Sequence, residues 1–256
     1  MTALRVLNSI FTITEFELRK LRHDYSQVFM RVIQPALWLL IFGEVFAKIR
    51  VLPNADANYL QFLTPGVLAQ SVVFVAIFYG LMLVWERDMG LLHKLLSTPT
   101  PRYSIVVGKA FSAGVRSLFQ AIVVLILALL IHVDLNITPL TVLGVLAIIV
   151  VSGMCFSSLS ILLASLLRTR ERMMGIGQAI TMPLFFASSA IYPISVMPDW
   201  LKVLAQINPL SYIVDAMRAL LVTGQFASLP MDLAAIVAAT VIITTLASVS
   251  FSRIIS

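Results

Sequence analysis

Apolar residues in this chain gather into long blocks separated by short charged segments. Stretches without Asp, Glu, Lys or Arg cover residues 57–85, 135–167, 173–198 and 233–252. Crossing a bilayer as a helix takes about 20 mostly apolar residues, so each block is long enough. Two further blocks, 28–47 and 105–131, are interrupted by Arg31 and Glu44 and by Lys109 and Arg116. Charges toward helix ends can snorkel to the interface, and both blocks are read as spanning. The pattern predicts one all-α integral membrane domain over 1–256. Its six transmembrane helices are placed near 28–47, 62–85, 105–131, 140–167, 173–191 and 233–252.

Three segments between the blocks have patterns of their own. Residues 4–24 place Leu4, Leu7, Phe11, Leu18 and Leu21 near one helical face, with Arg19, Lys20 and Arg22 beside it. This predicts an amphipathic helix in the membrane interface, although Ile10, Ile13 and Phe16 blur the face; a partly disordered tail is the other reading. The segment 85–102 begins with Glu86, Arg87 and Asp88 and continues with His93 and Lys94. Leu91, Leu92, Leu95 and Leu96 form an apolar edge, before Pro99 and Pro101 end it. Acids early and bases late suit a helix dipole, and the prolines stop the helix. Such a helix can dock into a groove on a soluble partner or lie on the membrane surface. Residues 192–231 are broken by Pro193 and Pro198, followed by an apolar face of Trp200, Val203, Leu204 and Ile207. Asn208-Pro209 reads as an N-cap with proline at the first helical position, Asp215 and Arg218 stand at i, i+3, and Gly224 is the expected stop. Two helices too short to cross predict a re-entrant or interfacial hairpin between spans five and six.

Composition supports lipid as the solvent. Hydrophobic residues are 60% and charged residues 12% of the 256, against roughly 45–50% and 25% in soluble domains, and mean hydropathy is +0.99. The net charge of +6 would suggest nucleic acid if the basic residues formed one patch. Instead, residues 1–31, 87–116, 168–172 and 253 hold fourteen of the 18 Lys and Arg. By the positive-inside rule both termini face the cytoplasm, and no nucleic acid is implied. Glu15 and Glu17 follow the first apolar run with no clean cleavage site, so the N-terminus is expected to be retained.

The chemistry excludes more than it offers. The single cysteine, Cys155, provides neither a disulfide framework nor a cysteine metal site. No HExxH or GxSxG occurs, acids lie singly apart from Glu15/Glu17 and Glu86/Asp88, and the histidines are far apart, so no catalytic or metal site is expected. The only Gly-Lys pair, Gly108-Lys109, lacks both the preceding glycine and the following Ser or Thr of a phosphate loop. An ATP-driven pump would therefore need its motor on another polypeptide. The alternative is an ion-coupled secondary carrier or channel working without ATP. It wants ionisable groups deep in the bilayer, and Glu44 is the one candidate, read otherwise as an interfacial partner of Lys48. Polar residues within spans, Gln34, Gln70 and Gln120 among them, serve interhelical hydrogen bonds or substrate contact. Phe74, Phe78, Phe185, Phe186 and Tyr192 line a substrate path or pack against lipid.

Three stretches together resemble a known family. The run 59–71, with Phe62-Leu-Thr-Pro65-Gly66 and Ser71, resembles the FLxPGxxxxS stretch of ABC-2 type transporter permeases. Glu86-Arg87-Asp88-Met-Gly90 through Leu96, with Pro99, Pro101-Arg102 and Gly108-Lys109, is similar to that family's cytoplasmic segment. Asn208-Pro209-Leu-Ser-Tyr212 with Asp215, Arg218 and Gly224 looks like its external hairpin. The flavour is that of daunorubicin-resistance-type drug export permeases. The resemblance implies a transport subunit, not an enzyme, in the cytoplasmic (inner) membrane. It implies a permease homodimer, or a pair with a similar permease, working with a separate nucleotide-binding ATPase, which would carry ATP and magnesium, and export of an amphiphilic drug, lipid or lipid-linked glycan. It makes Glu86, Arg87, Asp88, Gly90, Leu91, Leu92, Leu95, Leu96 and Arg102 the coupling residues. Pro198, Trp200, Asn208, Pro209, Tyr212, Asp215 and Arg218 become those of the external hairpin.

Overall fold

The computed structural model describes residues 3–21, 33–43, 45, 59–97, 100–166 and 170–251. Among these residues the chain is helical and contains no strand. The helices are α1 (Ala3–Leu21), α2 (Ile33–Gly43, whose last turns from Trp38 are π-type), α3 (Tyr59–Asp88), α4 (Leu91–Leu96) and α5 (Arg102–Leu130). They continue with α6 (Pro139–Leu166), α7 (Arg170–Phe186), α8 (Asp199–Ile207), α9 (Pro209–Arg218) and α10 (Leu229–Ser250). Among the described residues, α3, α5, α6 and α10 are long and apolar enough to cross a membrane.

The bundle is built around α6, which packs along α5, α3 and α10, while α1 lies along α5. Lipid tails are as apolar as leucine, so helices in a membrane associate through close packing and small residues rather than through a hydrophobic drive. The α5–α6 crossing follows this rule: a Cβ on Gly153 would lie 2.6 Å from the Gly114 Cα, and one on Gly114 would lie 2.5 Å from the Val150 carbonyl oxygen. Val237, Val241 and Val249 on α10 are each more than half exposed, as suits side chains in contact with acyl chains. The interior holds Phe156, Phe185 and Phe251 with essentially no exposure.

Several expectations change. Among the described side chains of α1, Ile13, Thr14 and Glu17 are buried and Leu18 half-buried, while Phe11 is 73% exposed. The residues that seemed to blur the face are partly the face itself, because α1 packs on protein. The charged and leucine-rich parts of 85–96 are not one helix. α3 runs on to Asp88, and Gly90, with φ +72°, breaks the chain before α4 begins. Glu86 and Asp88 therefore close a long helix instead of opening a short one. α7 ends at Phe186, short of the expected 191, in a turn where the Ser188 hydroxyl donates to the Phe185 carbonyl at 2.6 Å. The other long helices begin and end within about four residues of expectation, as usual for boundaries. Arg31, Glu44, Lys48 and Pro99 lie outside the described residues.

Candidate functional site

At the Asp88 end of α3, the helices α1, α3, α4 and α5 meet around one lysine. Lys109 stands in the second turn of α5 and is nearly buried. Its Nζ donates to Glu17 Oε1 of α1 at 2.7 Å and to Glu86 Oε2 of α3 at 2.5 Å. Side-chain exposures are 7% for Lys109, 3% for Glu17 and 13% for Glu86. An ammonium has three donors and no acceptor, so one lysine can hold two carboxylates from two different helices.

A second layer completes the cluster. Tyr79 of α3 donates its hydroxyl to Glu17 Oε2 at 2.5 Å and accepts one from Ser112 at 3.2 Å. Arg116 donates to the Glu17 backbone carbonyl, comes within 4.0 Å of its carboxylate, and stacks 4.3 Å above the Tyr79 ring. The Thr14 hydroxyl reaches the Gly108 carbonyl at 3.3 Å. Among the described residues, two carboxylates and two cations thus meet in a site largely shielded from solvent. Burial of charge is tolerated only with such pairing and hydrogen bonding.

α4 hangs from this cluster. Gly90 sits in a left-handed conformation with open space where a Cβ would be, so its glycine answers to backbone conformation rather than crowding. Its N–H bonds the Arg87 carbonyl at 3.0 Å and its carbonyl accepts from Lys94 N at 3.3 Å. Leu92 is buried and Leu95 half-buried, while Leu91 and Lys94 are exposed. Arg87 and Asp88 pair at 3.1 Å on the surface, and Arg102 opens α5 exposed to solvent. Leu96 ends α4, with its side chain outside the described set. Between α4 and α1 lies a groove of about 250 Å³ walled by Phe16, Leu91, Leu92 and Leu95, with Glu17, Glu86 and Lys109 at its base.

At the Tyr59 end the short helices are pinned by polar contacts. Pro198 caps α8, and Asn208 ends α8 and caps α9. The Asn208 Oδ1 accepts from Leu210 N at 3.0 Å, and its Nδ2 donates to the Leu184 and Ala187 carbonyls at 2.7 and 2.8 Å. Pro209 occupies the start of α9, and Tyr212 donates to the Gln206 carbonyl at 2.6 Å. Arg218 bonds Asp215 at 2.9 Å and the Ser189 carbonyl at 2.7 Å, and lies 3.9 Å over the Phe62 ring. Burial pulls its guanidinium down to about 10 while Asp215 opposes the shift, so the guanidinium keeps its charge at neutral pH. Gly224, at φ +65°, stops the turn after α9. Trp200, Val203, Leu204 and Ile207 stand exposed along one face of α8.

A profile of ABC-2 type transporters matches residues 8–222, which takes in the lysine cluster, α4 and both short helices. The chain belongs to the ABC-2 type transporter family. It is 29% identical over 223 residues to ycf38, a proposed transport permease of Cyanophora paradoxa, covering 86% of this chain and 76% of the relative. It is 25% identical over 200 residues to the daunorubicin resistance ABC transporter permease DrrB1 of Streptomyces coeruleorubidus, covering 78% and 70%. It is 22% identical over 210 residues to the inner membrane transport permease YadH of Escherichia coli, covering 77% of each.

Within this ABC-2 permease the aromatic residues do not form one path. Phe74 and Phe78 line a cavity at mid-length of α3, with Gln34, Gln70 and Gln120. Phe185 is buried against Trp38, Phe186 is exposed, and Tyr192 donates to the Phe186 carbonyl at 2.6 Å. Sequence reasoning missed Glu17, Tyr79, Ser112 and the linking role of Lys109. The available signal was spacing. Ile13, Thr14 and Glu17 share a face at i, i+1, i+4, while Lys109, Ser112 and Arg116 do so at i, i+3, i+7.

Proposed function

We propose that this chain is the membrane subunit of an ATP-driven exporter, coupled through α4 to a separate nucleotide-binding ATPase that holds ATP and magnesium. The observation that carries the reading is the Lys109 bridge. It ties α1, α3 and α5 into one rigid corner and leaves α4 projecting from it with an apolar groove at its side. A soluble motor seated on α4 and α1 would move the long helices directly. Six spans, both termini in the cytoplasm of an inner-membrane protein, a re-entrant hairpin of α8 and α9, and a homodimer of permeases complete the proposal. The names of the drug-resistance and transport relatives favour an amphiphilic cargo.

The test is reconstitution with an ABC-type nucleotide-binding subunit, sought among the neighbouring reading frames by its GxxxxGK[ST] motif. Co-purification of the two is expected, with ATP hydrolysis stimulated by the intact permease. Gly90→Pro, which cannot adopt the required φ, is expected to abolish that stimulation while the chain still inserts. Ion-gradient-driven transport by the permease alone would refute the reading.

A further inference from the structure

The short helix α8 presents three sides to three surroundings. At about 100° per residue, Leu201 and Ala205 share one side, Trp200, Val203, Leu204 and Ile207 a second, and Asp199, Lys202 and Gln206 a third. The first side packs on protein, with Ala205 buried and Leu201 half-buried. The second is apolar and open, Trp200 and Ile207 being 67% and 73% exposed. The third is polar and also open: Gln206 is exposed, and Lys202 pairs at 3.0 Å with Asp199, whose side chain is 98% exposed.

Depth decides what the two open sides meet. α8 ends at Asn208, whose Nδ2 donates to the Leu184 and Ala187 carbonyls at 2.7 and 2.8 Å. These carbonyls lie about 18–22 Å along α7 from the exposed Arg172, at 1.5 Å per residue. The basic 168–172 segment is read as the cytoplasmic boundary. With a hydrocarbon layer about 30 Å thick, the Asn208 tip sits roughly 10 Å inside its outer edge, and Gln206 and Ile207 stand beside that tip. The far end of α9 is shallower: Arg218 bonds the Ser189 carbonyl and lies over Phe62, in the first turn of α3. At the depth of the tip, acyl chains suit Ile207 and Leu204, but an amide bared to hydrocarbon loses its hydrogen bonds to water with nothing in return. Gln206 is too short to snorkel out. Charged and polar side chains at membrane depth face protein or enclosed water.

We propose that α8 separates two solvents. Its Asp199–Lys202–Gln206 side lines a water-filled vestibule open to the outside, and its Trp200–Val203–Leu204–Ile207 side lies against acyl chains of the outer leaflet. An amphiphile leaving along α8 would keep its polar end in the vestibule and its apolar part in lipid. The proposal rests on the reading of α8 and α9 as a re-entrant hairpin. Spin labels provide the test. Cys155 is the single cysteine, so a Cys155→Ala chain accepts one new thiol at a time. Gln206→Cys and Ile207→Cys put a nitroxide at adjacent positions of nearly equal depth, and both side chains are exposed, so a label finds room. The full-length permease is reconstituted in phosphatidylcholine vesicles. Relaxation by oxygen, which concentrates in hydrocarbon, is compared with relaxation by nickel ethylenediaminediacetate, which stays in water.

The nickel-to-oxygen ratio is expected to be at least about five-fold higher at 206 than at 207, because hydrocarbon excludes polar solutes. Lys202→Cys and Leu204→Cys, on the same two sides one turn earlier, should repeat the contrast, which covers a label that disturbs the tip. Equal ratios at 206 and 207 would overturn the proposal. Both high would put α8 in bulk water and remove the re-entrant hairpin with it; both low would keep the hairpin and remove the vestibule. A label at 207 reached by neither probe, the mark of a second copy over the apolar side, would overturn it too. The assay contains no ATPase, so the exporter reading fails separately. Permease-stimulated ATP hydrolysis without the contrast removes the vestibule alone, and the contrast in a chain that transports without ATP removes the exporter alone.

Discussion

Replacing Lys109 with methionine keeps the apolar stem and removes the charge between Glu17 and Glu86. The three side chains are between 3% and 13% exposed, so solvent screens the loss poorly. Breaking a buried pair by deleting one partner costs about 3–5 kcal/mol, because the remaining charge is left uncompensated. Here two carboxylates lose the same lysine, with Arg116 no nearer to Glu17 than 4.0 Å, so the upper part of that range is expected. At roughly 2–4 °C per kcal/mol for a chain of this size, the melting temperature should fall by about 10 °C or more. The decisive comparison is the triple variant Glu17→Gln/Lys109→Met/Glu86→Gln, in which both carboxylates lose their charge with the lysine, while Arg116 keeps the residue-17 backbone carbonyl and the Tyr79 ring. Neutral replacement of a whole buried ionic group is often nearly free, so the triple variant should recover most of the loss. Thermal denaturation followed by size exclusion in detergent reads both. A Lys109→Met protein melting within about 1 °C of the parent, or a triple variant no better than the single, would refute the claim that Lys109 holds the corner together.

Gly114→Leu should separate α5 from α6, since even a Cβ meets the Val150 carbonyl at 2.5 Å, and overpacking of this kind costs about 1–3 kcal/mol or more; loss of a monodisperse elution peak checks it. Asn208→Ala removes the α9 cap and both bonds to the end of α7, with an expected loss of about 1–2 kcal/mol read as a lowered melting temperature. Asp215→Ala strands the Arg218 guanidinium. Asp215 is 35% exposed on its side chain, which keeps the loss below the buried-pair range, at about 1–3 kcal/mol, and Arg218→Met on the same background should restore part of it.

The long helices were legible because lipid imposes one requirement, an apolar run of sufficient length, and a run is visible without knowing its neighbours. The 208–224 region was legible for the same local reason. An Asn cap, a proline at the first turn and a terminal glycine act within a few residues, and all three take the expected roles. The corner around Lys109 was not. Glu17, Glu86 and Lys109 are separated by 92 and 23 positions from their partners, and each alone looks like a charge at a helix end. The break at Gly90 was hidden differently: glycine permits a positive φ but does not announce one. The glutamines were visible singly, yet only the packing of three helices brings Gln70 and Gln120 to one cavity.

A single element touches every feature that matters. α3 is 30 residues long, about 45 Å at 1.5 Å per residue. It carries Glu86 and Tyr79 at the charged corner, Phe78, Phe74 and Gln70 at the cavity, and Phe62 and Tyr59 at the far end, where they meet Arg218 and the Ile191 carbonyl. A continuous helix is stiff along its axis, so a push on α4 reaches the cavity as tilt or rotation of α3 rather than as local bending. Two close crossings constrain such motion. At Gly80 a Cβ would lie 2.5 Å from the Ser160 side chain, and Ser160 donates to the Ile77 carbonyl at 2.7 Å; at Gly66 a Cβ would lie 2.3 Å from the Ala190 carbonyl oxygen. Phe74 lies between the two, so in the proposed exporter displacement at the corner would reach the cavity as rotation of α3 about its own axis rather than as a swing about one point.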